Sequence, residues 1–168
     1  MIGLLLAVLA LLVSTIAQVT LTAYWPEVAR YFDLPLVVVI YYALVKGPTG
    51  ALLAGAVAGL FQDALGGTLL GVSALSKALV GYLVGALGLR FATAPFMARV
   101  LILAAATLLS GSVEVGTLAI MGRQLARSTY PHMLERVVGN CLIGALLVGF
   151  LRRESLRWHG GVRRAPLR

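Results

Sequence analysis

The sequence predicts an all-α fold, a polytopic membrane helix bundle of about six transmembrane helices, since each crossing needs roughly 20 apolar residues. Two observations carry that reading. Of the 168 residues, 60% are hydrophobic and 12% charged, against roughly 45–50% and 25% in soluble domains. The apolar residues also fall into long runs that leave no polar segment large enough for a water-soluble domain, so one membrane domain, residues 1–151, and a basic tail, residues 152–168, make up the chain. Cys141 is the sole cysteine, which excludes an intrachain disulfide, and a thiol inside an apolar run suits packing.

The first run extends from Ile2 to about Tyr24, with Ser14, Thr15, Gln18 and Thr20 as its polar members. No Lys or Arg precedes Arg30 and the run is longer than a signal-peptide core, so a retained helix is expected. Trp25 suits an interface anchor. Pro26 to Asp33 is expected as a short amphipathic loop carrying Glu27 and Arg30. A second helix then runs from Tyr31 or Leu34 to Val45, with Pro35 in its first turn, where proline is tolerated. Its alternative is half of a re-entrant hairpin. Gly47-Pro48 is strong turn chemistry and favours two separate helices.

The third helix, Gly50 to Ala64, places Ala51, Gly55, Ala58, Gly59, Gln62 and Asp63 on one stripe. It ends in a carboxylate. Leu65 to Gly71 follows, too apolar for an exposed loop and too rich in glycine for a helix, which suggests a tight connection buried against protein. The fourth helix, Val72 to Leu89, carries Lys77, Gly81 and Gly85. Pairs of small residues four apart, such as Gly55 with Gly59 and Gly81 with Gly85, let helix backbones approach closely inside a bilayer.

A loop from Phe91 to Ala98 leads to the fifth helix, Val100 to Met121, with Glu114 deep in its span. A basic segment, Arg123 to Arg136, precedes the last helix, Val137 to Leu151. The tail holds six arginines against Glu154. Counting basic residues near span ends puts Lys46, Arg90, Arg99 and the tail inside and Arg30, Arg123, Arg127 and Arg136 outside, with both termini cytoplasmic. The tail reads as a topology anchor against anionic lipid, not as a nucleic-acid binder.

Asp63, Lys77 and Glu114 lie within apolar stretches. A charge at the bilayer centre costs about 2.5–3.5 kcal/mol on insertion scales, so each needs a partner or a wet cavity. The simplest pairing sets Lys77 against Asp63 or Glu114. The open readings are an ion path, a substrate pocket, a docking site for another protein's helix, or an internal salt bridge that fixes packing. No Walker loop, GxSxG elbow or HExxH helix is present, and His132 and His159 have no Cys or acid at metal-ligand spacing. No catalytic residue, metal site or cofactor is therefore expected.

The order of these features resembles the rod shape-determining MreD family. The matching stretches are FDLPLVVVIYYAL, the turn KGPTG, GLFQDALGGTLLGVSAL, the GYLVG helix, an acid in the fifth helix and a short basic tail. Its most specific part is G-x-x-x-D-x-x-x-G-x-x-x-G, met at Gly59, Asp63, Gly67 and Gly71. The resemblance implies a non-catalytic bacterial inner-membrane protein that binds the bitopic protein MreC. Through MreC it would reach RodA, the elongation transpeptidase and the MreB filament. It also implies an architecture similar to the substrate-binding subunits of energy-coupling-factor vitamin transporters. The residues expected to serve helix packing or partner binding are Gly55, Gly59, Asp63, Gly67, Gly71, Lys77, Gly81 and Glu114. The rival reading is a vitamin-transporter subunit with a pocket near Asp63, Lys77 and Glu114.

Overall fold

In the computed structural model, residues 2–67, 69–91, 96–122 and 133–146 are described, and among them the regular structure is entirely helical. The order is α1 (Ile2–Tyr24), α2 (Pro26–Ala29), α3 (Leu34–Lys46), α4 (Pro48–Gly66), α5 (Val72–Phe91), α6 (Phe96–Ile120) and α7 (residues 133–146). Among the described residues, four stretches are long and apolar enough to cross a membrane: Leu5–Tyr24, Pro26–Lys46, Pro48–Gly66 and Val100–Ile120. The apolar part of α5, Val72–Leu87, is shorter. The protein is a polytopic membrane helix bundle. The tail 152–168, together with Arg123, Arg127 and His132, lies outside the described residues.

Local chemistry sets most helix ends. Asp33 caps α3, its carboxylate accepting from the Leu36 N–H at 3.2 Å. Gly47 closes α3 and opens α4 at φ 84°, a conformation a side chain would strain, and Pro48 starts α4. At the far end of α4, Gly67 takes the left-handed conformation at φ 63° and its N–H bonds the Asp63 carbonyl. Gly71, at φ 100°, turns the chain into α5.

Three boundaries depart from the sequence expectations. Pro26–Ala29 forms a helical turn in place of an amphipathic loop. α5 includes Phe91 and α6 begins at Phe96, so residues 91 and 96–98, expected in a loop, are helical. The last helix is already formed at residue 133, which puts Arg136 on a helix.

The most extensive packing among α1 to α6 is the antiparallel hairpin of α4 and α5. A Cβ added to Gly55 would strike the Lys77 carbonyl, one on Gly59 the Ala74 backbone, one on Gly81 the Ala51 carbonyl at 2.5 Å, and one on Gly85 Pro48 at 2.6 Å. A four-residue step between glycines on one helix thus meets a three-residue step on the other, and at each glycine backbone touches backbone. α3 packs on this hairpin and contributes Leu36, Val37 and Ile40 to a core shared with Ala51, Val80 and Leu103. α1 lies against α3 and α4, while α6 lies against α5. The outer face of α1, with Leu5, Leu9, Val13 and Ile16, is exposed and apolar. That face is suited to lipid.

A buried charge layer at one end of the bundle

α1, α4 and α6 finish at the end of the bundle where α3, α5 and α7 begin. The polar side chains of the membrane segments gather there. Lys77 stands five residues into α5 and Glu114 six residues before the end of α6. At 1.5 Å per residue both sit about 8–9 Å inside their helix ends. Glu114 is therefore only about one residue's rise deeper than Lys77, less than the difference in depth expected between them.

Lys77 is fully buried, and its ammonium donates to Asp33 Oδ2 at 2.9 Å, while Glu114 Oε1 lies farther off at 3.9 Å. The other oxygen of Glu114 accepts from the Arg136 guanidinium at 3.1 Å. Two cations and two carboxylates from four helices form one chain of charge, neutral in sum. Hydroxyls and amides complete it. Ser76 donates to Glu114 at 3.2 Å and Ser110 to Ser76 at 3.3 Å. The Asn140 carbonyl accepts the Asp33 backbone N–H at 2.8 Å, and its amide donates to Thr107 at 3.3 Å. On α1, Gln18 donates to the Phe32 carbonyl at 3.0 Å and accepts from the Leu34 N–H at 3.1 Å, tying down the corner between α2 and α3. Buried polar atoms are costly when unmade, so a network joined at this many points holds six elements in one arrangement.

Asp63 does different work from the pairing expected of it. Its carboxylate accepts the backbone N–H groups of Gly71 at 2.9 Å and Ser73 at 3.1 Å, across the glycine turn from its own helix. These are donors at the start of α5, where a helix leaves its first N–H groups without internal partners and carries positive dipole charge. The short turn brings the last turn of α4 within reach of them. Gly67 and Gly71 allow that turn, and Gly55, Gly59 and Gly81 allow the seam below it.

Sequence reasoning had Lys77 and Glu114 but missed Asp33 as the nearer partner, and it assigned Arg136 to a loop. A signal for Asp33 existed: an aspartate immediately before an apolar run with proline in its first turn marks a helix cap. Nothing local signalled that the same carboxylate meets α5.

Beside the layer lies a polar cavity of about 320 Å³, lined by Gln18, Arg30, Asp33, Gln62, Glu114 and Arg136 among others. Arg30 bonds Glu27 at 2.7 Å at its rim. Buried Gln62 Oε1, Arg30 Nε and Arg136 Nε have no hydrogen-bond partner among the described residues. Among those residues no group of three His, Cys, Asp or Glu side chains is placed to hold a metal ion.

An all-helical, multi-pass membrane protein that buries a neutral charge layer at one end is the class this fold and site define. Within that class, the family model for rod shape-determining protein MreD matches residues 1–153. The chain belongs to the MreD family and is a rod shape-determining membrane protein. No curated protein and no solved structure matches it.

Proposed function

We propose that the chain is a non-catalytic scaffold of the bacterial cell-elongation machinery. It sits in the inner membrane with both termini cytoplasmic and binds MreC, and through MreC it meets RodA, the elongation transpeptidase and MreB. The family match along residues 1–153 is the observation that carries this reading. The geometry supports it in two ways. Lys77, Asp33, Glu114 and Arg136 neutralise one another, an arrangement suited to holding shape. The adjoining cavity holds buried polar atoms, Gln62 Oε1 and Arg136 Nε, without a hydrogen-bond partner among the described residues, as a surface that receives a polar segment of another protein does.

In this orientation the charge layer faces the periplasmic side. A reporter enzyme fused after Arg168 is active only in the cytoplasm, and periplasmic activity there inverts the topology.

The same cavity, about 320 Å³, is the observation that favours the second reading, a vitamin-transporter subunit. Affinity purification from membranes in mild detergent separates the two. Recovery of MreC and a polytopic polymerase is expected. Recovery of coupling ATPases and a vitamin, with no wall-synthesis component, overturns the scaffold.

A further inference from the structure

A second hollow runs along the opposite half of the bundle, between α1 and α4. It encloses about 550 Å³ and its wall is almost wholly apolar. Leu11, Thr15 and Ala58 form a buried floor, while Val8, Leu53 and Val57 stand exposed along its edges. The Thr15 hydroxyl is already bonded to the Leu11 carbonyl at 2.8 Å, so the floor presents no free polar group there. On α4, Gly50, Ala54 and Ala58 recur every fourth residue, so nothing larger than a methyl rises from that stripe.

Length and rim chemistry say what fits. From Gly50 to Phe61 the groove follows eleven helical steps of α4, about 16 Å at 1.5 Å per residue. One leaflet of the hydrocarbon core is about 15 Å deep, half of roughly 30 Å. At the Gly50 end stand a phenol and a cation: the Cβ position of Gly50 is 3.8 Å from the Tyr42 hydroxyl and 3.8 Å from Lys46 Cβ. Lys46 is exposed in the last turn of α3. A groove one leaflet deep and apolar along its length, with Tyr42 in its wall and the exposed Lys46 beside its Gly50 end, complements an acyl chain that carries an anionic headgroup.

We propose that this groove seats an acyl chain of an anionic phospholipid from the leaflet on the Lys46 side, with the headgroup phosphate accepting from Lys46 and the Tyr42 hydroxyl. The site lies apart from the charge layer and owes nothing to the MreC reading. Native mass spectrometry of the full chain, released from detergent with equal phosphatidylglycerol and phosphatidylcholine, tests it. The wild type retains phosphatidylglycerol in preference. Lys46→Gln lowers that preference about fivefold, the factor expected for one near-surface cation. Ala54→Phe, which fills the floor and changes no charge, removes the retained lipid of either headgroup. Lys46 is exposed, so its variant carries the test even if Ala54→Phe destabilises the bundle. Equal retention of the two lipids by the wild type, or an unchanged ratio in Lys46→Gln, overturns the proposal. So does a preference that vanishes in the tail variant Arg152→Gln/Arg153→Gln, or a dimer mass that excludes lipid and places a second copy in the groove.

Discussion

The α4–α5 seam and the charge layer are both buried, both join helices, and hold by opposite means. Along the seam, Gly55, Gly59, Gly81 and Gly85 remove side chains so that backbones touch. In the layer, Lys77, Asp33, Glu114 and Arg136 bring long side chains from four helices to one level. The seam joins two neighbours in the chain. The layer joins α5 to α6 and α6 to α7, which follow one another, and also α3 to α5, which do not. In a bilayer, where apolar burial against lipid gives helices no reason to associate, close packing and polar contacts are the two remaining forces. This protein relies on close packing in its central hairpin and adds polar contacts in the layer around it, where Gly139 also brings α7 against the Tyr31 carbonyl.

The comparison breaks first, if it breaks, at Lys77. Lys77→Met leaves Asp33 and Glu114 close together without their shared cation, and removing one partner of a buried pair costs about 3–5 kcal/mol. A large drop in thermal unfolding temperature in detergent is the expected reading; near-wild-type unfolding shows that the layer does not hold the helices. Next comes the seam. Gly59→Leu drives a side chain into the Ala74 backbone, and such overpacking costs about 1–3 kcal/mol or more. Protease sensitivity of the α4–α5 hairpin should rise with it, and an unaffected hairpin means the helices are not in backbone contact.

A smaller effect sharpens the role of Asp63. Asp63→Ala removes the acceptor of two N–H groups at the start of α5 and should cost about 0.5–2 kcal/mol, the range of a helix cap. A loss as large as that of Lys77→Met would place Asp63 in the charge layer instead. The smallest change is a gain. Nothing lies within 4 Å of the Cβ position of Gly116, so Gly116→Ala should stabilise α6 by about 0.5–1 kcal/mol, a glycine outside the seam behaving as an ordinary helical one.

The two regions also differ in how far the sequence discloses them. The seam rests on small residues at helical spacing within each helix, and of the stripe Ala51, Gly55, Ala58, Gly59, Gln62 and Asp63 read from the sequence, all but the half-buried Gln62 are buried. The glycine turn is equally local. The charge layer is not, because which carboxylate meets Lys77 depends on where α3 and α6 come to lie beside α5. Asp33 stands 44 positions from Lys77 and beside Pro26–Ala29, which composition marks as a loop. Arg136 was hidden for the same reason, since only the early start of α7 turns it inward. The groove between α1 and α4 had no signature at all. It is a space, formed by two helices that run side by side without closing.

The central claim is that the charges serve architecture, with Lys77 and Asp33 as its closest pair. A double-mutant cycle of Lys77→Met and Asp33→Asn, followed by thermal unfolding in detergent, measures that pair directly. The account predicts a coupling energy of about 1–3 kcal/mol, the double variant being less damaged than the sum of the singles. Additivity within about 0.5 kcal/mol would contradict it.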